Sequence, residues 1–325
     1  MYEQHYGLTE APFALLPDPS FLYMSKDHSM ALTLLRYSIM NKQGFTAISG
    51  DVGSGKTTLI NRILEELEKD ITVGLINFTH NSFGELSEWV LMAFGLEYRG
   101  KSKVEMYDDF VKFLIEEYRK GQRVVLIIDE AQNMDARTLE ELRMLSNVNA
   151  QNEYLLHLII VGQPELKDTL QKPELRQLAQ RISVFYHLGQ LTLNEAQEYI
   201  SHRLTVVGGN PQLFAADAVQ LIWSEAQGVP RVINTLCDLA LVYGFSGNCE
   251  AIDKQLVLEV LQDRQKMGLR PAAEPGKKAA KKKAAKKKVT KKKVTKKKVP
   301  KKMAPTKEAS TIESNQDELS LKVVQ

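Results

Sequence analysis

Along the first 190 residues, apolar positions follow two alternating rhythms. Runs at Phe45 to Ser49, Ile71 to Phe78, Val124 to Ile128, Leu155 to Val161 and Ser183 to Leu188 are largely apolar and of strand length, which predicts buried strands. Between them, apolar residues recur at helical spacing. Leu59, Ile60, Ile63 and Leu64 line one face of a helix predicted over Thr57 to Leu67, and helices are expected at Phe83 to Phe94, Val104 to Arg119 and Ala136 to Leu145. Such an alternation predicts a parallel sheet covered on both faces. After Gln190 the strand rhythm stops. Thr192-Leu193-Asn194-Glu195 reads as a capping box opening a helix through Leu204, with further helices at Ala215 to Ala226, Val232 to Tyr243 and Asp253 to Gln265. The expected organisation is a sheet domain over 1–190, including a segment 1–43 ahead of the first strand, then a small all-α unit over 191–268 and a tail over 269–325.

Charge separates that tail from the rest. The chain of 325 residues carries a formal charge of only +3, yet Pro271 to Gln325 holds 18 Lys against 5 acidic residues. The other 270 residues hold 25 basic and 35 acidic side chains. Between Lys277 and Lys302, sixteen lysines stand in short blocks separated by Ala-Ala, Val-Thr or Val-Pro, with no acidic or aromatic residue. Such a stretch buries too little apolar surface to offset chain entropy, so a disordered tail is expected. Hydrophobic residues make up 43% and charged residues 26%, the composition of a soluble globular protein. No apolar run approaches the ~18 residues of a membrane-spanning helix, and no basic-then-apolar leader opens the chain. Cys237 and Cys249 are too few for a disulfide framework or a zinc site, which fits a reducing, cytoplasmic setting.

Candidate chemistry concentrates after the first strand. Gly50-Asp51-Val52-Gly53-Ser54-Gly55-Lys56-Thr57-Thr58 fits the phosphate-loop pattern G-x-x-x-x-G-K-[ST], and it lies between a strand and an amphipathic helix as that pattern requires. Glycines let successive main-chain N–H groups converge on phosphate oxygens, and the helix N-terminus adds its dipole. Lys56 is expected to reach the β- and γ-phosphates and the Thr57 hydroxyl to ligate Mg²⁺. Asp129 ends the most apolar strand, 73 residues after Lys56, and is expected to hold the metal; Glu130 next to it would orient and polarise the attacking water. Gln163, just after the strand ending at Gly162, suits a sensor of the γ-phosphate or the water, and equally a turn residue before Pro164.

Two arginine segments complete the set. In Leu175 to Arg181, Arg176 and Arg181 fall on different faces of an expected helix, with Arg181 at its end; it would reach a neighbouring subunit's γ-phosphate or pair with a surface acid. Arg231, in Gly228-Val229-Pro230-Arg231, opens a helix of the α-helical unit and would either fold back onto bound nucleotide or serve only that helix's first turn. The six histidines show no metal spacing, and no serine or cysteine sits in a nucleophile elbow.

These residues resemble the AAA+ ATPases of the general secretion pathway protein A type, with pilus and exopolysaccharide-locus relatives and, more distantly, transposition ATPases. The resemblance covers about residues 1–268. It rests on Met1-Tyr2, Tyr6-Gly7-Leu8, Pro12-Phe13, Pro17-Asp18-Pro19 and Phe21-Leu22-Tyr23, on the phosphate loop, on Asp129-Glu130-Ala131-Gln132 and Gly162 to Leu166, and on the two arginine segments. It implies a P-loop NTPase αβα sandwich with a parallel sheet and a helical lid, hydrolysis of ATP with Mg²⁺, and assembly into a homo-oligomeric ring or filament. By the same resemblance Gln163 is the first sensor, Arg231 the second, and Arg181 the better candidate for an arginine acting in trans. Relatives of this type commonly continue into a transmembrane helix and a peptidoglycan-binding domain; here a lysine tail is expected in their place.

The tail lacks aromatics for stacking on bases and arginine forks for reading them. Lys277 to Lys302 therefore point to sequence-independent attraction to DNA or RNA, to an anionic inner-membrane surface, or to a solubilising role. Three functions remain open at the sequence level. One is an ATPase powering assembly or remodelling of an envelope export system, such as secretion, pilus or exopolysaccharide machinery. Another is a DNA-associated ATPase held on nucleic acid by its tail. The last is an ATP-gated scaffold with little turnover.

Overall fold

A computed structural model describes residues 1–67, 70–77, 84–150 and 153–267. The chain separates into two units, Met1–Leu269 and Arg270–Gln325, and every described residue belongs to the first. The lysine-rich tail, and Phe78 and Phe83 at the expected ends of a strand and a helix, lie outside the described residues.

Five strands, β1 (Phe45–Gly50), β2 (Ile71–Asn77), β3 (Arg123–Asp129), β6 (Leu156–Gly162) and β7 (Val184–Leu188), form one parallel sheet in the order β2-β3-β6-β1-β7. A two-stranded hairpin, β4 (Asn149–Ala150) and β5 (Glu153–Tyr154), precedes β6; its strands are too short to leave an apolar signature. Because successive strand residues face opposite sides, the unbroken apolar run of β3 supplies two cores at once. Val125 and Ile127 pack with Ile48, Ile159 and Val161 against α2 (Lys26–Met40) and α3 (Lys56–Glu66). Leu126 and Ile128 pack with Ala47, Leu158 and Ile160 against α4 (Leu86–Ala93), α5 (Lys103–Arg119) and α6 (Ala136–Leu145). The expected αβα sandwich with a parallel sheet is the observed fold.

Helix α2 is not among the helices expected from periodicity. Ser25 caps it by accepting from the His28 amide, and Ala31, Leu32, Leu35 and Ile39 form its buried stripe. After β6 come α7 (Glu165–Leu170), a 3-10 turn at Pro173–Leu175 and α8 (Arg176–Ala179). Arg181 therefore stands in the turn beyond α8, not in the helix expected there.

Helices α9 (Leu193–Val206), α10 (Ala216–Ala226), α11 (Pro230–Ser246) and α12 (Lys254–Lys266) build the all-α part. Thr192 and Glu195 make both reciprocal bonds of the capping box at the start of α9, a feature worth about 1 kcal/mol. The leading segment divides between the two layers. Up to Tyr23 it serves the helical core, where Tyr2 (in α1, Tyr2–Tyr6), Leu8, Phe13 and Phe21 pack with Ile200, Leu236 and Leu241. From Ala31 onward it serves the sheet. Polar contacts hold the first part in place: Tyr2 Oη donates to Asp238 at 2.5 Å, and Thr9 N donates to the Val207 carbonyl at 3.0 Å.

Candidate nucleotide site

Strand β1 is hydrogen-bonded to β6 and β7 and not to its successor β2: the chain crosses from β1 to the sheet margin at β2 before stepping back through β3 and β6, the kind of order that leaves a crevice at the carboxyl edge of the sheet. Gly50 closes β1, Asp129 closes β3 and Gly162 closes β6 at that edge. A cleft beside them is lined by Val52 to Thr58, by Glu130 and Gln163, by residues 14–18 and 21–23 of the leading segment, and by Pro230, Arg231 and Asn234 of α11. The structure thus brings most of the expected site residues to one place. Arg181 is half-buried and is not among the residues lining the cleft, and Arg176 is exposed.

Two glycines explain the loop's sequence. Gly53 has φ +78°, and a Cβ there would stand 2.4 Å from Cβ of Arg231, whose own amide donates to the Gly53 carbonyl at 3.2 Å. Gly55 has φ +97°, and a Cβ there would meet Nε2 of His28 at 2.7 Å. Any side chain at either position would be strained and would push the loop off its supports. The first turn of α3, from Lys56, leaves main-chain amides without intrahelical partners beside this curl.

Lys56 is buried, and its Nζ donates to the carbonyls of Gly50 at 2.8 Å and Asp51 at 2.9 Å. Burial pushes its pKa down, while the carboxylates of Glu130, Asp129 and Asp51 oppose that push. Thr57 Oγ1 donates to Asp129 Oδ2 at 2.9 Å. Burial raises the Asp129 pKa, and bonds from the Glu130 amide and Thr57 work against the rise. Hydroxyl and carboxylate together form an all-oxygen donor set, the chemistry of a hard divalent cation. Among the described residues no group of three or more His, Cys, Asp or Glu side chains could hold a metal alone, so a cation here would share its ligands with phosphate.

Glu130 adopts φ 55° and ψ 34°, a left-handed conformation uncommon outside glycine, and its amide turns back onto Asp129 Oδ1 at 2.8 Å. Its Oε2 accepts from Gln132 Nε2 at 2.5 Å and from Gln163 Nε2 at 3.3 Å. Gln163 is expected here from its place after β6, whereas no role is expected for Gln132 or His28. His28 is buried; its Nε2 lies 3.1 Å from the Ser54 carbonyl and its Nδ1 lies 2.7 Å from Ser25 Oγ. Burial holds its pKa below the ordinary histidine range, so the ring is neutral, with Nε2–H donating to Ser54 and Nδ1 accepting from Ser25. Spacing could not signal it, because the partner lies 26 residues away across a packed helix. A second unforeseen group is Arg203 of α9. It is buried, donates Nε to the Pro12 carbonyl at 2.5 Å and Nη1 to Tyr199 Oη at 2.8 Å, and lies 4.7 Å from the Phe21 ring centroid. It fastens the leading segment to the helical layer where both meet the cleft.

A parallel sheet with a glycine-rich loop at its carboxyl edge, followed by an all-α part, defines a P-loop NTPase fold, and residues 39–170 match the AAA domain family. The fold is of that class. Within it, the chain is similar to general secretion pathway protein A of Aeromonas hydrophila, at 36% identity over 247 residues that make up 76% of this chain and 45% of the relative. It thus spans less than half the length of that protein. Among solved structures it is similar to the Aeropyrum pernix ORC1 protein in complex with DNA (17% identity, 78% of this chain and 69% of that one, TM-score 0.57). It is also similar to Cdc6p from Pyrobaculum aerophilum (16% identity, 73% and 68%, TM-score 0.57). At these identities the likeness is one of fold.

Proposed function

We propose that the chain binds ATP with Mg²⁺ and hydrolyses it to ADP and phosphate, and that turnover drives assembly or remodelling of an envelope export system. The observation that carries this reading is the cluster of Lys56, Thr57 and Glu130 lining one cleft, with Asp129 bonded to Thr57 beside it and Lys56 resting on loop carbonyls. Gly50 to Thr58 would wrap the phosphates, and Lys56 would exchange its carbonyl partners for β- and γ-phosphate oxygens. Thr57 and Asp129 would hold Mg²⁺, which supplies charge neutralisation between the phosphates when bound. Glu130 would accept the proton of the attacking water, a role typically worth a factor of 10²–10⁴. Gln163, bonded to Glu130, would sense the γ-phosphate. Arg231, packed on Gly53, would couple α11 to the nucleotide. Arg181, away from its own cleft, would serve that of a neighbouring copy in a ring or filament.

The export assignment extends the printed name of the Aeromonas relative to this chain, with a cytoplasmic location at the inner-membrane surface; no helix among the described residues is long and apolar enough to cross a membrane. A second reading, a DNA-associated ATPase, is favoured by the sixteen lysines from Lys277 to Lys302. Turnover measured with and without DNA over a salt series separates them. DNA stimulation that weakens steeply with salt and vanishes on deleting residues 271–325 selects the second. Indifference to DNA leaves the export reading. Affinity for Mg-ATP in calorimetry without measurable turnover would leave a nucleotide-gated scaffold.

A further inference from the structure

Gln132 has no part in the roles above, yet both ends of its amide are committed beside the cleft. It lies in the 3-10 turn Ala131–Asn133 that follows β3. Its Oε1 accepts the backbone N–H of Gln163 at 2.9 Å. A main-chain N–H can only donate, which fixes the amide's orientation and turns Nε2 to Glu130 Oε2, at 2.5 Å. The approach is possible because β6 ends in glycine: a Cβ on Gly162 would stand 2.9 Å from Gln132 Oε1 and 3.2 Å from the Gln132 backbone nitrogen. One amide therefore ties the carboxylate after β3 to the main chain after β6, the two strand ends that carry Glu130 and Gln163.

We propose that Gln132 is a positioning residue for hydrolysis, holding the Glu130 carboxylate by one oxygen. The other oxygen, Oε1, has no hydrogen-bond partner among the described residues and is the one left for a water proton. The backbone of Glu130 sits in a sparsely populated conformation that the surrounding contacts must hold. Gln132 supplies one such contact at the short distance of a charge-assisted bond, whereas Gln163 reaches the same oxygen only at 3.3 Å. The inference rests on the reading of Glu130 as the group that accepts the water proton.

The test is steady-state ATP turnover of the full chain and of Gln132→Ala and Gln132→Glu, with nucleotide affinity read separately by displacement of a fluorescent ATP analogue. Both variants should lose about tenfold or more in kcat while affinity stays within about twofold, because the bond acts on the reacting water and not on the phosphates. Gln132→Glu is the sharper probe. It keeps an oxygen to accept from Gln163 N and nearly the same volume, but when ionised it cannot donate to Glu130. It also serves if thermal unfolding shows that the alanine variant does not fold. Wild-type kcat in Gln132→Glu, or an affinity loss as large as the kcat loss, would overturn the proposal. Nucleotide binding without turnover in the wild-type chain would instead remove the hydrolytic reading itself, and this inference with it.

Discussion

The two edges of the sheet treat polar side chains in opposite ways. At the amino edge, charges are paired at the surface: Lys42 with Glu153 at 2.5 Å and Arg123 with Asp70 at 3.3 Å, all between about a third and a half exposed. His157, buried there, rests on the Gln43 carbonyl, and burial pushes its pKa down. At the carboxyl edge, Lys56 and Asp129 are both buried, and neither makes a direct salt bridge among the described residues. Apart from the Glu130 amide on Asp129, their bonds go to loop carbonyls and to a hydroxyl, partners that a polyphosphate and its cation would replace. Burial without direct neutralisation is unfavourable for folding alone, and it makes this edge the one at which a ligand has most to offer.

Substitutions should expose that contrast in decreasing order of effect. Glu130→Gln should lower turnover by about 10²–10⁴-fold while leaving ATP affinity nearly intact, as read by single-turnover kinetics beside calorimetry. Lys56→Ala should weaken Mg-ATP binding by about a hundredfold or more, since a charge-assisted contact with phosphate is lost; unchanged affinity would remove the lysine from the site. At the other edge the expected signal is one of stability. Burial pushes the His157 pKa down to about 4, so between about pH 6.5 and 4 the unfolded chain takes up a proton that the folded chain refuses. Stability should fall as pH drops through that window, by about 3 kcal/mol at most, and His157→Gln should flatten urea midpoints over the same range. His28→Ala, which leaves the Ser54 carbonyl without its donor, should loosen the phosphate loop and weaken nucleotide affinity by about tenfold. Smallest of all, Lys42→Ala should change stability by about 0.5 kcal/mol or less, because its ion pair is exposed.

What the sequence reveals follows the range of the interactions involved. The phosphate loop is legible because main-chain convergence on phosphate needs glycine and lysine at fixed local spacing. The central strands β1, β3 and β6 show themselves as apolar runs because each is buried on two faces, while the edge strands β2 and β7 are partly exposed. The capping box at Thr192 is legible for the same local reason, and both its bonds are present. Contacts made at long range leave no such mark. His28 meets Ser54 only after α2 packs on the sheet, and Arg203 meets Pro12 across 191 residues. Phe13 and Phe21 stand out only through the resemblance; nothing in their spacing shows that the helical layer closes around them. Gln132 stands in a motif quoted from resemblance, but its bond to the Gln163 amide depends on β3 and β6 lying side by side.

The placement of β1 between β6 and β7 bears on any attempt at modular excision. A fragment trimmed to the matched span 39–170 would retain every residue from Gly50 to Thr58, with Asp129 and Glu130, and on paper would look intact. It would nevertheless lose the outer neighbour of β1, since β7 begins at Val184, together with His28 beneath Gly55 and Arg231 against Gly53. Such a minimal piece would expose a raw sheet margin beside an unsupported loop, and would be expected to self-associate before it could serve as a working miniature of the whole.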